Sequence, residues 1–201
     1  MSKLADGYTI RLAEQLDIPA LIAADRAASE MFRSTGLIPD MAAIPESIPA
    51  DILAEAIDLK HMIIVADEAG PVGFALIQPI ENTLYLDQIS VDPAHGRKGL
   101  GTALLRAVYQ KAIDNECTSV TLSTFRDVKW NGPFYRRVGF KEIARRNMAE
   151  WMLEIEAAQS ETMDVSQRCF MQRSVRRPLL AKRKSRGEQM TNSASDGTPS
   201  S

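Results

Sequence analysis

The stretch ISVDPAHGRKGLGTALLRAVYQKA, residues 89–112, places Gly96, Gly99 and Gly101 between two apolar runs. The run before the glycines predicts a β-strand, and the run after them repeats leucine and valine at helical spacing. A strand, a glycine-rich turn and a helix therefore follow one another. The first N–H groups of such a helix have no partner within it and carry a partial positive charge.

This turn predicts a phosphate cradle that extends from Gly96 to Thr102. Gly99 and Gly101 lack the Cβ atoms that would keep an anion away from the main-chain amides, and Gly96 allows a positive φ in the turn. Two basic residues, Arg97 and Lys98, add positive charge. The same sequence is also typical of a tight strand-to-helix connection, and the glycines alone do not decide between the two interpretations.

Two familiar nucleotide motifs fit the turn poorly. Its glycine order is G-x-x-G-x-G, whereas the dinucleotide fingerprint is G-x-G-x-x-G with an acidic residue on the next strand. A P-loop requires Lys before its Ser or Thr, but Gly101 directly precedes Thr102. The phosphate ligand, if one binds, therefore belongs to another class.

The rest of the chain predicts a mixed α/β fold with a strand–helix–strand unit over residues 83–125. We expect an earlier strand, two helices joined by the proline-rich loop 34–50, and a hairpin. A short helix and two closing strands, FKEIAR and AEWMLEIEA, follow the unit. These segments, in chain order, are residues 7–13, 17–34, 50–61, 62–80, 82–91, 118–125, 133–140, 140–145 and 149–157.

Composition favours a soluble protein of 201 residues with one domain and an appendage, since 45% of its residues are hydrophobic and 25% charged. The N-terminus has no apolar signal core and no run is long enough to span a membrane, so we expect a cytoplasmic protein. The chain has two cysteines and two histidines, none of them in a metal-ligand spacing. We expect no metal.

Charge divides the chain into an acidic body and a basic tail. Residues 1–158 contain 16 basic and 22 acidic residues, a net charge of −6, whereas residues 159–201 contain 8 and 4, a net charge of +4. The segment after residue 158 is rich in Ser, Thr and Gly near its end, which predicts a disordered tail. Binding of nucleic acid, an anionic surface or a partner by this tail is the alternative.

Two segments together resemble the GCN5-related N-acetyltransferase (GNAT) superfamily: LDQISVDPAHGRKGLGTALLRAVYQKA (86–112) and WNGPFYRRVGF (130–140). The family signature is a strand ending in V-x-P, then Gln/Arg-x-x-Gly-x-Gly/Ala opening a helix. Four residues match it, namely Val91, Pro93, Gly99 and Gly101, while Gly96 stands where Gln or Arg is usual. The resemblance covers roughly residues 8–155.

The resemblance implies a fold and a co-substrate. The fold is a GNAT-like, mixed, mostly antiparallel central sheet flanked by helices, as a single domain over residues 7–158 with a disordered C-terminal tail over 159–201. The co-substrate is acetyl-CoA, with the main chain of Ile89 and Val91 pairing with the pantetheine arm as an added strand would. The pyrophosphate would be bound around Gly96, Arg97, Lys98, Gly99, Leu100, Gly101 and Thr102.

The resemblance also implies catalytic residues. Tyr135 occupies the place of the family's general acid, which protonates the leaving thiolate. Asp87, on the strand before the glycine turn, is the candidate base; Glu81 and Asp127 are weaker candidates, and a chain of waters could replace a single base. Asn131 is predicted to cap the helix that carries Tyr135 and, in addition, to contact CoA. Trp130 either packs or lines the substrate mouth.

The implied function is acetyl transfer from acetyl-CoA to a primary amine of a small molecule or protein. The alternative is a non-catalytic CoA-binding sensor or docking module of the same fold. The acidic body favours a cationic acceptor through electrostatic steering. We expect no membrane partner and no nucleic-acid partner, the tail being the one segment that could bind nucleic acid. Family analogy suggests a homodimer through the closing strands.

Overall fold

A computed structural model of the protein describes residues 4–33, 35–38 and 45–175. They form one seven-stranded sheet with helices on both of its faces. In chain order the elements are β1 (Thr9–Leu12), α1 (Ile18–Arg33), α2 (Ala50–Asp58), β2 (Met62–Asp67), β3 (Gly70–Ile80), β4 (Thr83–Val91), α3 (Leu100–Asp114), β5 (Ser119–Phe125), α4 (Gly132–Arg137), β6 (Lys141–Glu142), α5 (Glu150–Ser160) and β7 (Arg168–Ser174).

The sheet order is β1-β2-β3-β4-β5-β7-β6, and every neighbouring pair is antiparallel except β4 and β5. The parallel pair arises because α3 carries the chain back across one face before β5 begins, as a crossover between parallel strands requires. The predicted mixed, mostly antiparallel sheet flanked by helices is thereby confirmed.

Alternation along the strands separates two hydrophobic layers. Leu84 and Leu86 of β4 pack on the face covered by α3 and α4, within the larger cluster of buried side chains. Tyr85 points to the other face, where it packs against Trp151 of α5. Helices α1 and α2 cover the remainder of that second face above β2 and β3. Each face of β4 is thus buried against a different set of helices.

The predicted closing strand AEWMLEIEA is wrong, because this segment forms helix α5. Apolar residues at 151, 153 and 155 alternate as in a strand, but the structure buries Met152, packs Trp151 and Ile155 against the core and leaves Leu153 exposed. That spacing of packed side chains is helical. The other closing segment, FKEIAR, contains only the two-residue strand β6.

The predicted boundary at residue 158 is also wrong, since it falls inside α5. Residues 168–174 form β7, which lies in the sheet between β5 and β6. Cys169, Phe170 and Met171 are buried there, so the segment from 159 to 175 belongs to the domain and not to a disordered tail. Residues 176–201, which hold the rest of the predicted tail, lie outside the described residues.

The described residues contain neither a membrane-spanning helix nor a group of metal-ligating side chains. None of the helices they form is both long enough and apolar enough to cross a membrane. Within the same ranges, no three His, Cys, Asp or Glu side chains are grouped as metal ligands would be. The expectation that the protein uses no metal stays a prediction.

Candidate active site

The connection from β4 to α3 is a compact turn. After Val91, the Asp92 carboxylate accepts a hydrogen bond from the Ala94 amide at 2.8 Å and caps a 3-10 turn over Pro93–His95. The chain then passes through the left-handed region twice, at Arg97 (φ 59°) and at Gly99 (φ 77°). Helix α3 begins at the following residue.

Gly96 does not adopt the positive φ that a glycine allows there. Gly96 is extended, with φ −61° and ψ 166°. Glycine is required there for a different reason, because a Cβ would lie 2.9 Å from the Pro93 carbonyl oxygen. The left-handed conformation falls one residue later, on Arg97, where a side chain makes it costlier.

The N-terminus of α3 is uncovered. Gly99 occupies the N-cap position, where it offers no capping side chain to the free amides of Leu100, Gly101 and Thr102. A Cβ built on Gly99 or Gly101 would meet no atom within 4 Å. The first turn of this helix therefore presents main-chain donors to open space, as the sequence predicts.

Strands β4 and β5 separate partway along their length. They pair from Thr83 to Leu86 on β4 and from Ser119 to Leu122 on β5, and the pairing stops there. Beyond this point β4 stays paired only with β3 and β5 only with β7. A V-shaped opening forms between them, and we call it the β4–β5 opening.

A β-bulge lies at the start of this opening. Leu86 opposes Ile77 of β3 and Gln88 opposes Leu76, so Asp87 is the extra residue of β4. The main chain from Asp87 to Val91 then has one edge bonded to β3 and one edge facing the opening. Ile89 and Val91 lie on this stretch, and their side chains pack partly buried against the core on the α3 face.

Tyr135 lies on α4 and is 7% exposed. Its ring packs against Phe134 and Phe140, with centroids 5.2 and 5.5 Å away. Its hydroxyl makes no hydrogen bond with another described residue. The hydroxyl oxygen is nevertheless not fully enclosed by protein. Burial raises the pKa of Tyr135, so the hydroxyl keeps its proton at neutral pH.

Asn131 stands at the N-cap position of α4, but its side chain makes no capping hydrogen bond. Asn131 therefore occupies the predicted N-cap position without making the capping hydrogen bond. Its main chain is engaged, since its carbonyl accepts from the Tyr135 amide at 3.0 Å. The side-chain amide is left available to another partner.

Asp87 is exposed to solvent. The neighbouring protein still desolvates its carboxyl group in part, and this raises the pKa of Asp87 above the ordinary aspartate value. Arg168, on β7, acts on Asp87 in the opposite direction through its charge. The same guanidinium also influences Tyr85 and Tyr135. Asp87 and Arg168, which lie at the unpaired parts of β4 and β5, are therefore close enough for their charges to interact.

Sequence analysis missed Arg168 because it fell within the segment assigned to the tail. It also missed Asp25, which is only 3% exposed on α1. The Asp25 carboxylate accepts hydrogen bonds from the Ile48 amide at 3.0 Å, from the Ser90 hydroxyl at 3.0 Å and from Gln88. It ties α1 and the start of α2 to the free-edged stretch of β4. Burial raises its pKa in spite of the three donors.

The remaining predicted residues divide into near and remote ones. Lys98 donates to the Tyr8 hydroxyl at 2.6 Å and lies 5.1 Å from the centre of its ring, beside the glycine turn. Trp130 is exposed and contacts Phe32 of α1, edge to face, at 5.9 Å. It thus both packs and reaches solvent.

Of the two weaker base candidates, Glu81 lies in the β3–β4 turn, at the end of β4 opposite the opening. Asp127 lines a depression of about 250 Å³ beyond the end of β5, together with Thr35, Leu37, Phe125, Val128 and Gln167. Neither carboxylate adjoins the bulge as Asp87 does.

Comparison with known proteins agrees with this geometry. The sequence model of the Acetyltransferase (GNAT) family matches residues 27–140. More than half of the chain lies within that match, and the protein belongs to the GNAT family.

Solved structures with the same fold include PaiA N-acetyltransferase from Thermoplasma acidophilum in complex with coenzyme A (TM-score 0.66, 16% identity, 83% of this chain and 98% of that one). N-acetylglutamate synthase from Neisseria gonorrhoeae, complexed with coenzyme A and N-acetyl-glutamate, is similar over 85% of this chain and 35% of its own (TM-score 0.64, 17% identity). The ribosomal-protein-S18-alanine N-acetyltransferase from Escherichia coli is similar over 92% and 99% (TM-score 0.60, 18% identity).

Membership in this family, together with the fold of these CoA complexes, supports an acetyl-CoA-dependent acetyltransferase.

Proposed function

We propose that this protein is an N-acetyltransferase that transfers the acetyl group of acetyl-CoA to a primary amine of a small molecule or protein. The observation that carries the proposal is the β4–β5 opening. It joins the free edge of β4 to the uncovered N-terminus of α3, so an extended thioester with a diphosphate fits along one continuous stretch of main chain.

In this proposal the cofactor is bound mainly by the backbone. The amides from Arg97 to Thr102 hold the diphosphate, with Gly96 shaping the turn. The free edge at Ile89 and Val91 pairs with the pantetheine arm as an additional strand. The uncapped side-chain amide of Asn131 supplies one further hydrogen bond.

The chemistry requires two proton movements. The neutral amine attacks the thioester carbonyl carbon, a C–N bond forms and the C–S bond breaks. Asp87 accepts the proton that leaves the nitrogen, directly or through water, and the Tyr135 hydroxyl donates one to the departing thiolate. The raised pKa of Tyr135 keeps its hydroxyl protonated for this role. Main-chain N–H groups at the opening stabilise the negative charge that develops on the thioester carbonyl oxygen.

The acceptor is an amine in this proposal, which agrees with the similar structures. One is a synthase of N-acetylglutamate and another is a ribosomal-protein-S18-alanine N-acetyltransferase. Small-molecule and protein amines are both represented among proteins of this fold. A homodimer and the absence of a nucleic-acid partner stay predictions, and the basic cluster of the tail that could bind nucleic acid, residues 176–186, lies outside the described residues.

The competing function is a CoA-binding module without turnover. A protein that only binds CoA needs neither a carboxylate at the bulge nor a tyrosine at the family's general-acid position, so Asp87 and Tyr135 favour the enzyme. The test combines a thermal shift with CoA and acetyl-CoA and thiol release from acetyl-CoA against a panel of amines. Ligand at 100 times its Kd adds about 2.7 kcal/mol of apparent stability. Binding without thiol release from any amine would establish the module instead.

The pH dependence of turnover tests the role of Asp87. A base must be ionised to accept a proton, so kcat at saturating acceptor falls as the pH drops through the pKa of Asp87. Because desolvation raises that pKa, the fall begins above the ordinary aspartate value of about 3.9. Asp87→Asn should lower kcat about 100-fold and remove this acidic limb. An unchanged limb in the variant would assign the proton transfer to another group.

A further inference from the structure

Arg168 contacts the part of β5 that is not paired with β4, at the edge of the β4–β5 opening. It is paired in register with Phe125 of β5, and its guanidinium lies 4.8 Å from the centre of that ring. Its Nε donates to Gln159 Oε1 at 2.9 Å and to Ser123 Oγ at 3.3 Å, and Nη2 donates to Ser123 Oγ at 3.2 Å. The aromatic face and these two neutral acceptors fix the direction of the charged group.

This guanidinium has no counterion among residues 4–33, 35–38 and 45–175. No carboxylate in those ranges lies within ion-pair distance of it, whereas Arg11 forms a bidentate pair with Asp17 at 2.7 and 2.8 Å. Arg168 is half-buried, and burial lowers the pKa of its guanidinium. A partly desolvated charge is stabilised by an anionic partner, so the position suits an arginine whose partner is a ligand.

Part of the guanidinium is free to bind such a ligand. Nη1 of Arg168 donates to no described residue. It is not fully enclosed by protein either, because among the described residues only the Tyr109 hydroxyl is a fully enclosed side-chain polar atom without a partner. The unused N–H groups of Arg168 therefore reach solvent, and they do so beside the opening. Arginine presents its N–H groups as a planar fork that matches a carboxylate.

The opening has opposite charges at its two edges. Ser123, which Arg168 contacts, directly follows the last β5 residue paired with β4, and Asp87 directly follows the last β4 residue paired with β5. The two charged groups form no ion pair, although each influences the other's pKa. Phe125, beside Arg168, contacts Phe32 of α1 at 5.5 Å, so this is the face of the sheet opposite α3.

We propose that Arg168 binds an anionic group of the acceptor, and that the acceptor is a small amine bearing a carboxylate, such as an amino acid. This inference rests on the proposed acetyltransferase function and narrows its substrate class. The amine end lies toward Asp87 and the carboxylate end toward Arg168. A polyamine, which the acidic body alone would favour, brings a second ammonium group toward a half-buried guanidinium of the same charge and is disfavoured.

The test measures thiol release from acetyl-CoA with the twenty common α-amino acids, each compared with its carboxamide, and with putrescine and spermidine. The wild-type protein should use at least one amino acid with a kcat/KM about 10- to 100-fold above that of its carboxamide, the range expected for a charge-assisted hydrogen bond. Arg168→Met should remove this preference by raising KM for the amino acid, and leave the carboxamide and the KM for acetyl-CoA within about threefold of wild type.

Two further variants separate recognition from folding. Arg168→Lys keeps the charge without the fork and should retain part of the preference. Arg173→Met, on the same strand, removes a guanidinium that lies 4.4 Å from the Tyr109 ring and donates to the Val138 carbonyl, away from the opening. It should leave the preference intact.

Several outcomes would overturn the proposal: equal use of amino acids and their carboxamides, acetylation confined to polyamines, or absence of turnover with every amino acid in a protein that binds acetyl-CoA. Acetylation of polyamines alone would leave the acetyltransferase function standing. Failure to bind CoA or acetyl-CoA would remove both.

Discussion

On the α3 side of the β4–β5 opening the protein presents mostly main-chain groups, whereas on the α1 side it presents side chains. The amides of Leu100 to Thr102 and the free edge of β4 belong to one continuous segment of the chain. Because Gly99 and Gly101 have no side chains, nothing from these two residues covers the amides. The opposite side is assembled from Asp25, Asp87 and Arg168, which lie on three different elements.

The difference separates two tasks. A site made of backbone recognises a ligand's extended shape and phosphate charge, and substitutions affect it only by covering or bending the backbone. A site made of side chains is specific for chemical groups and depends on each hydrogen bond that orients them. We therefore expect cofactor binding to tolerate most substitutions and acceptor selection to tolerate few.

The largest effect is expected at Tyr135, the proposed general acid. Tyr135→Phe removes the proton donor and should lower kcat by about 10- to 1,000-fold, while the KM for acetyl-CoA changes little. The matched control is Tyr109→Phe, since that buried hydroxyl hydrogen-bonds to no other described residue and lies away from the opening. Steady-state thiol release measures both variants. Equal activity of the two would remove Tyr135 from the mechanism.

A smaller effect is expected at Gly101, and it tests the main-chain side. Gly101→Val should weaken CoA binding at least about tenfold by covering the amides of the first turn, and Gly101→Ala should weaken it less. Neither change should lower stability, because a Cβ there meets no atom within 4 Å and both residues favour the helix over glycine. Calorimetric titration with CoA gives the affinities. Wild-type affinity in the valine variant would contradict the main-chain site.

The smallest effect concerns the framework of the side-chain site. Asp25→Asn replaces one carboxylate oxygen by an NH2 group, which cannot accept from the Ile48 amide at one position or from the Gln88 amide at the other. The free energy of unfolding in urea should fall by about 1 kcal/mol, the net value of one hydrogen bond. Glu154→Gln, on the exposed surface of α5, should leave it unchanged. A midpoint for Asp25→Asn equal to that of the control would show that this buried cluster contributes nothing.

The two sides also differ in how well the sequence predicts them. The glycine turn, α3 and the strands around it are local, so periodicity and glycine spacing were sufficient, apart from the conformation of Gly96. The side-chain site depends on contacts between distant segments. Arg168 enters it only because β7 joins the sheet beside β5. The buried run of β7 is only three residues long and lies between polar neighbours, which is too short a pattern to predict a strand. Asp25 sits among alanines on an amphipathic helix, where an aspartate is usually exposed.

Amide hydrogen exchange with and without CoA tests the central claim most directly, because it measures the main-chain groups to which the claim assigns the cofactor. The account predicts that CoA slows exchange at Leu100, Gly101 and Thr102 and along the free edge of β4 around Ile89 and Val91, with little change in β1 and β2. Binding of CoA that leaves these amides unprotected, or that protects another region instead, would contradict it.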